Sequence, residues 1–168
     1  MAIIKTANTT GKYHNLSSYN SVIHYVTRPD KAIHGCIGCF ALDPYNPAGH
    51  MELVAKQYCK DQGVHIRHFI FGFELEDQVS PGIAAQIGEE LIAYLGQQFQ
   101  ALYAVHEDRP HLHIHIIINA VSHIDGHKYR GTRQVFGRFM TVSKRILRKY
   151  GIQSLRYVSN RPFSVESI

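Results

Sequence analysis

Histidines at alternate positions make residues 111–115 the segment of this chain best suited to chemistry. His111, His113 and His115 are separated by single apolar residues. Successive side chains of a β-strand point to opposite faces, so the three imidazoles share one face and the apolar residues the other. Buried polar groups without partners cost about 1–3 kcal/mol each, so imidazoles in this arrangement need hydrogen bonds or a metal ion. The pattern predicts a metal site on a half-buried sheet.

The spacing of these histidines limits which of them can share one ion. Metal–nitrogen bonds are about 2.0–2.2 Å long, whereas residues i and i+4 of a strand lie about 13 Å apart. Neighbours at i and i+2 lie about 7 Å apart and can converge, and a third imidazole then comes from an adjacent strand. His106 precedes the Asp108-Arg109-Pro110 turn, which brings it back toward the next strand. We therefore expect His106, His113 and His115 to be the metal ligands, with His111 beside the site.

Asp108 offers a carboxylate next to these histidines. Carboxylates commonly accept a hydrogen bond from the second ring nitrogen of a ligating histidine, which orients the imidazole. We expect Asp108 to orient His106 in this way. The alternative is an exposed aspartate that caps the Asp-Arg-Pro turn.

Positive charge is concentrated in one segment of the chain. Residues 1–127 contain twelve acidic and eight basic residues, a net charge of −4, whereas residues 128–161 contain ten basic residues and no acidic one. The ten are Lys128, Arg130, Arg133, Arg138, Lys144, Arg145, Arg148, Lys149, Arg156 and Arg161. Such a segment repels itself unless a polyanion neutralises it, so the pattern favours a nucleic acid partner over a merely basic soluble surface.

The length and composition are those of one compact domain. The 168 residues are 45% hydrophobic and 18% charged, which excludes disordered and collagen-like chains. No apolar run approaches the roughly 20 residues of a spanning helix, and the first residues lack a secretory signal. Cys36 and Cys39 form a lone C-x-x-C pair without the second pair of a zinc site. We expect a single domain, residues 1–168, located in the cytoplasm.

The order of helical and strand patterns predicts an α+β fold. Strands and helices are interspersed and one antiparallel hairpin is included, so a central antiparallel sheet flanked by helices is favoured. The predicted strands are residues 1–9, 65–75, 101–106, 111–121 and 154–158, with a turn at 10–12. The first predicted helix has Ser17 or Ser18 as its N-cap and ends at Arg28. Three more helices are predicted over residues 46–61, 80–98 and 132–149.

The histidine segment resembles the third motif of the conjugative relaxases of the MOBP class, the mobilization nucleases of plasmids and integrative elements. The shared string, H-x-D-x-x-H-x-H-x-H, runs from position 106 to 115, and its His-Ile-His end is the core of the wider HUH endonuclease superfamily. The resemblance extends to residues 2–31, 73–81 and 125–128, and so covers nearly the whole chain. Gly72 stands where relatives often carry a serine. The resemblance implies the palm-type antiparallel sheet of this superfamily.

The resemblance singles out Tyr25 as the catalytic nucleophile. Tyr25 occupies the family's position near the end of a predicted helix, close to Arg28 and Lys31, which could hold a phosphate and favour the phenolate. Tyr19, earlier on the same helix, is the alternate. Both tyrosines could instead be packing residues, the commoner role at helical spacing.

The activity that the resemblance implies is a metal-dependent transesterification. A relaxase is site- and strand-specific: it nicks single-stranded DNA at a transfer origin, forms a 5′-phosphotyrosyl link and releases a 3′-hydroxyl. The family uses Mg²⁺ or Mn²⁺, although imidazoles alone would favour zinc, cobalt or nickel. Relaxosome accessory and coupling proteins are further expected partners. The residues expected to contact DNA are Arg28, Lys31, His111, Lys128, Arg130, Arg133, Arg138, Lys144 and Arg145.

Two other functions fit parts of the pattern. An HUH replication initiator or transposase carries its tyrosine after the histidine motif. The candidates that would favour such a protein are Tyr129 and Tyr150, which follow the motif, and Tyr103, which immediately precedes it. A catalytically idle DNA-binding module would use the histidines to hold a structural ion. The chain has no room for the helicase, primase or secretion-signal regions that often follow a relaxase domain, so we expect a fragment or a minimal form.

Overall fold

The computed structural model describes residues 1–7 and 13–159. The strands are β1 (Ala2–Thr6), β2 (Ala32–Phe40), β3 (Ile66–Gly72), β4 (Phe99–His106), β5 (His113–Ser122) and β6 (Leu155–Val158). The helices are α1 (Ser17–Thr27), α2 (Pro47–Gln57), α3 (Pro81–Gly96) and α4 (Arg133–Lys149). The predicted turn at 10–12, the end of the first predicted strand and Arg161 lie outside the described residues. No helix within the described ranges is long and apolar enough to cross a membrane.

The strands form one sheet in the order β2-β4-β5-β3-β1-β6. Neighbouring strands are antiparallel except for β1 and β6, which are parallel. β5 is paired on both sides, and every residue of β4 and β5 is buried. The predicted α+β fold with a central, mainly antiparallel sheet is confirmed.

Helices cover both faces of this sheet. The isoleucines at even positions of β5 form an apolar core with Leu91 of α3 and Phe139 of α4. Ile117 belongs to a second core that includes residues of α1 and α2. Because alternate residues of a strand face opposite sides, His113 and His115 lie on the same face as Ile117. The candidate site is therefore on the face that α1 and α2 cover.

The sequence patterns do not predict β2. This edge strand pairs with β4, with a shift of register between Ala32 and Ile37 and a positive φ at Gly35. A bulge of this kind interrupts the alternation of apolar and polar residues by which a strand is recognised. Cys36 and Cys39 lie on this strand as free thiols.

The prediction of an N-cap at Ser17 or Ser18 is wrong. Helix α1 begins at Ser17, with Leu16 in the N-cap position and no side-chain cap among the described residues. The Ser17 hydroxyl instead donates to the side chain of Asn15. The serines therefore lie inside the first turn of the helix rather than before it.

The other three helix starts follow their sequence signals. The side chains of Asn46, Ser80 and Thr132 accept hydrogen bonds from backbone N–H groups of α2, α3 and α4, and a proline follows each of the first two. Strand β3 ends at Gly72 rather than at residue 75, because Glu74 caps a short 3₁₀ turn.

Candidate active site

Three imidazoles meet at one end of the β4–β5 hairpin. His106 pairs directly with His113 in the antiparallel register, and His115 follows two residues later on the same face. One ring nitrogen of each of these histidines lies within 4.8 Å of the others. The structure thus brings together the three predicted ligands, called here the histidine triad.

The second ring nitrogen of each triad histidine has a hydrogen-bond partner. His106 Nε2 lies 2.7 Å from the Val26 carbonyl oxygen and His113 Nδ1 lies 3.1 Å from the His111 carbonyl oxygen, so both nitrogens donate. His115 Nδ1 lies 2.7 Å from His68 Nε2. The carbonyl contacts leave His106 Nδ1 and His113 Nε2 with a free lone pair, which is the state a metal ligand requires. In His115, Nε2 is the ring nitrogen that His68 does not contact.

The donor set fits a metal ion. His106 is 0% exposed, and its Nδ1 is buried with no hydrogen-bond partner among the described residues. Burial lowers the pKa of all three triad histidines, and in His115 the neighbouring histidines lower it further. The imidazoles are therefore neutral at pH 7. Three neutral imidazoles with converging lone pairs suit a divalent cation.

The sequence predicts that Asp108 accepts a hydrogen bond from the second ring nitrogen of His106, but in the structure it does not. The Val26 carbonyl has that place, and Asp108 Oδ1 lies 3.9 Å from His106 Nδ1 and 3.6 Å from His113 Nε2. Both of these nitrogens are the ones left free for an ion, so the carboxylate lies on the ion side of the triad. Partial burial raises the pKa of Asp108, but the hydrogen bond from Lys31 and the nearby imidazoles lower it overall. A charged carboxylate thus stands at the edge of the metal site.

Tyr25 lies beside the triad in the last turn of α1. Its ring meets the ring of His115 edge-on, with centroids 6.2 Å apart, and the residue is 39% exposed. Lys31 Nζ lies 4.7 Å from the Tyr25 ring centroid and 3.2 Å from Asp108 Oδ2. The phenol is therefore reachable from solvent, with a cation on one side and the triad on the other.

The alternate tyrosine is a core residue. Tyr19 is 0% exposed and donates a hydrogen bond of 2.9 Å to Asn119 Oδ1, and burial raises its pKa. A phenol in this position cannot meet a DNA phosphate without unpacking α1. The geometry favours the packing role for Tyr19.

The other tyrosines considered as nucleophiles lie in or against the core that α3 and α4 form with the sheet. Tyr103 and Tyr129 are buried among residues of α3 and α4, on the sheet face opposite the triad. Tyr150 donates to Glu90 Oε1 at 2.7 Å, and burial together with this carboxylate raises its pKa to about 12. Three candidate nucleophiles of an initiator or transposase are thus separated from the triad by the sheet.

A cleft of about 640 Å³ leads away from the triad. Its floor is the uncovered part of β3 and β1, with Ile70, Gly72 and Lys5, and α1 forms one wall. Arg109 and His111 stand at its rim beside the triad. The cleft thus contains two basic side chains, Lys5 and Arg109, together with Tyr25 and two of the triad histidines.

The sequence of this chain matches a known nuclease family. The family described as "Relaxase: MobA/VirD2-like, nuclease domain" matches residues 25–152, a range that begins at Tyr25 and includes the triad. The chain belongs to this family.

Several relatives of the relaxase domain are longer proteins. Protein rlx of Staphylococcus aureus is 28% identical over 95 residues, which cover 56% of this chain and 30% of that protein. The group II intron-interrupted relaxase LtrB of Lactococcus lactis subsp. cremoris is 28% identical over 91 residues, 54% of this chain and 16% of that protein. A solved structure described as "Molecular Basis of Vancomycin Resistance Transfer in Staphylococcus aureus" has 15% identity and a TM-score of 0.45, covering 75% of this chain and 74% of that chain. The matches thus span less than a third of these two curated relatives.

Besides Lys31, which pairs with Asp108, two more basic residues predicted to contact DNA have polar partners within the relaxase domain. Arg28 makes two hydrogen bonds, of 2.9 and 2.7 Å, with the carboxylate of Asp30. Lys128 Nζ donates to the carbonyl oxygens of Gln62 and Val64 at 2.9 and 2.7 Å. Lys128 therefore fastens the segment after β5 to the loop before β3, rather than projecting toward a ligand.

The basic helix α4 lies on the far side of the sheet from the cleft. Phe139 of α4 packs against Phe69 and Phe71 of β3, whereas the alternate residues His68 and Ile70 face the cleft side. The exposed positions of α4 include Arg133, Arg138, Lys144 and Arg145. The sheet therefore separates these residues from the triad.

Sequence reasoning missed two groups that hold the triad in place. One is the Val26 carbonyl, which no sequence pattern could reveal because it is a backbone atom. The other is His68, which lies next to the apolar residues Phe69, Ile70 and Phe71 of β3. Its alternation with Phe69 and Phe71 was a usable signal, since it places the imidazole on the side away from the α3 and α4 core.

Proposed function

We propose that this domain nicks single-stranded DNA at a transfer origin, with Tyr25 as the nucleophile. The observation that carries the proposal is the position of this phenol, half-exposed at the end of the cleft and in ring contact with His115. Family membership supports a relaxase activity. The position of Tyr25 before the histidine motif supports a relaxase rather than an initiator or transposase.

The histidine triad would hold a divalent ion, for which the family resemblance suggests Mg²⁺ or Mn²⁺. When bound there, such an ion supplies a Lewis acid that polarises a non-bridging oxygen of the scissile phosphate. Asp108 lies close enough to the free nitrogens of His106 and His113 to add negative charge to the site.

The chain's own residues supply the nucleophile and its surroundings. Tyr25 Oη forms a bond to phosphorus while the bond from phosphorus to the 3′ oxygen breaks, so the DNA is joined to the protein through a 5′ phosphate. The phenol loses a proton and the departing 3′ oxygen gains one, so the reaction is balanced and reversible. Lys31 places a positive charge beside both the phenol and the incoming phosphate, which stabilises the charge that develops during the reaction.

The DNA strand would enter along the cleft. Lys5 and Arg109 line the cleft and can neutralise phosphates, and His111, which also lines it, can donate a hydrogen bond to a phosphate oxygen. The floor is a sheet surface with Ile70 and Gly72, against which unstacked bases can pack. These features suit a single strand, whose bases are available for such contacts.

A second stretch of nucleic acid would bind the far side of the sheet. A pocket of about 420 Å³ there combines the rings of Tyr94, Phe99 and Tyr129 with the guanidinium groups of Arg130 and Arg138. Aromatic rings stack on bases and arginine pairs with phosphate, so the pocket fits a nucleotide of DNA outside the cleft. Arg133, Lys144 and Arg145 would extend this contact along α4. Relaxosome accessory and coupling proteins stay a prediction of the family resemblance.

The test is covalent capture of DNA. The protein is incubated with Mn²⁺ and a pool of random single-stranded oligonucleotides, labelled in one sample at the 5′ end and in another at the 3′ end. On a denaturing gel, the 3′ label should move with the protein and the 5′ label should not. Peptide mapping should place the adduct on Tyr25.

Matched variants make this test specific for Tyr25. Tyr25→Phe should abolish the adduct, whereas Tyr45→Phe, which changes a residue that is 96% exposed and outside the site, should not. An adduct on Tyr103, Tyr129 or Tyr150 would replace the relaxase proposal with an initiator or transposase. DNA binding without any adduct across Mg²⁺, Mn²⁺, Co²⁺ and Zn²⁺ would leave only a DNA-binding module.

A further inference from the structure

His68 contacts the triad from the neighbouring strand β3. Its register partner is Ile117, and His115 pairs with Ile70, so His68 and His115 are diagonal neighbours on one sheet face. The side chains are buried, with His68 Nε2 2.7 Å from His115 Nδ1. The other ring nitrogen of His68, Nδ1, lies 3.2 Å from the hydroxyl of Tyr13. The imidazole of His68 therefore has a polar contact at both nitrogens.

The direction of the hydrogen bond between the two histidines follows from the chemistry of His115. A neutral imidazole has one N–H and one lone pair. If His115 binds an ion through Nε2, its proton must be on Nδ1, so His115 donates and His68 Nε2 accepts. His68 then carries its own proton on Nδ1 and donates it to the oxygen of Tyr13.

His115 is also the triad member whose support can be altered by mutation. His106 and His113 are held by the backbone carbonyls of Val26 and His111, which survive any side-chain substitution. His115 is held by a side chain, and its register partners Ala104 and Ile70 offer no polar group.

We infer that His68 is a positioning residue for the metal site, which accepts the Nδ1 proton of His115 and so presents His115 Nε2 to the ion. This inference rests on the proposed function, in which the triad holds the ion. Outer partners of metal-bound histidines typically change metal affinity by about 10–100-fold when they are removed. The same range is expected for loss of the His68 acceptor.

The experiment measures metal affinity without DNA. Wild type, His68→Leu and His68→Gln are titrated with Mn²⁺ by calorimetry, and with Co²⁺ by visible absorption, which reports the ligand geometry. His68→Leu removes the acceptor and should weaken binding about 10–100-fold. His68→Gln can present its amide oxygen in place of Nε2 and should recover most of the affinity. Metal-free melting temperatures show whether each variant is folded.

Two controls separate the possible failures. His34→Ala removes an exposed imidazole of β2 and should bind metal like wild type. His113→Ala removes a triad ligand and should abolish binding. If wild type itself binds no metal, the proposed function fails. If His113→Ala loses metal binding and His68→Leu binds metal like wild type, this inference alone is wrong. Equal losses in folded His68→Leu and His68→Gln would also overturn it.

A second readout covers the case in which leucine prevents folding. Nitrogen-15 NMR of the wild-type protein distinguishes the two tautomers of each histidine. The inference requires the proton of His68 on Nδ1, and a His68 that carries it on Nε2 while metal is bound would overturn it.

Discussion

Replacing His106 by leucine tests whether the triad is built for an ion, because the substitution has different consequences with and without metal. In the metal-free protein, His106 Nδ1 is buried and without a partner among the described residues. Its removal relieves a penalty of about 1–3 kcal/mol. The same substitution deprives the Val26 carbonyl of its donor, which costs a similar amount, about 1–3 kcal/mol. The metal-free melting temperatures of variant and wild type should therefore agree within a few degrees.

In the presence of metal, the melting temperatures of wild type and His106→Leu should differ. An ion present at about 100 times its dissociation constant stabilises the folded wild type by about 2.7 kcal/mol. In a domain of this size, about 1 kcal/mol corresponds to 2–4 °C, so the wild-type melting temperature should rise by about 5–11 °C. His106→Leu should show no comparable rise, because two imidazoles hold the ion poorly.

Differential scanning fluorimetry with a series of Mg²⁺, Mn²⁺, Co²⁺ and Zn²⁺ concentrations measures both effects. A wild-type protein with an unchanged melting temperature in all four ions would refute the reasoning, as would an equal rise in the His106→Leu variant. A metal-free variant destabilised by more than about 4 kcal/mol would show that the main role of His106 is to stabilise the fold rather than to bind metal.

Three further outcomes are expected. Lys31→Gln should slow adduct formation about 10²-fold at saturating Mn²⁺; an unchanged rate on denaturing gels would remove Lys31 from the site. Arg138→Gln should lower DNA affinity and reduce the salt slope of binding by about one, measured by fluorescence anisotropy, while Lys56→Gln on α2 should not. The hydrogen bond from Lys149 lowers the pKa of Glu90 below its usual 4.5, so the pair stabilises the fold above that pH and ceases to do so as the pH falls through the lowered value. Glu90→Gln should therefore lower the free energy of unfolding by under about 1 kcal/mol at pH 7, since both side chains are partly exposed. At strongly acidic pH the variant should equal wild type. Urea titrations at the two pH values measure this, and the same difference in unfolding free energy at both would contradict it.

The part of the site that could be predicted from the sequence is the part that depends on strand geometry. The two-residue period places His113 and His115 on one face, and a short turn places His106 opposite them. These are local relations, so a single sequence contains them. The fold class followed in the same way from the order of the helical and strand patterns.

The remainder depends on contacts between distant segments. The supports of the triad come from Val26 and His68, more than 40 residues away along the chain from their partners. The side of the sheet on which α4 packs is also decided by distant contacts, so the charge pattern predicts that its arginines contact DNA but not on which side of the sheet they lie. Strand β2 was missed because its bulge breaks the period on which recognition depends.

All three triad histidines belong to one hairpin, residues 99–122, whose two strands are joined by six residues. Closing so short a loop has a small entropic cost, so this pairing can form early while the chain is still folding. Tyr25 reaches the same place only after α1 docks on the finished sheet, across a separation of about 80 residues. Under the proposed function, a chain in which only this hairpin has formed would have the three ligands but not the nucleophile, so nicking would require the completed fold.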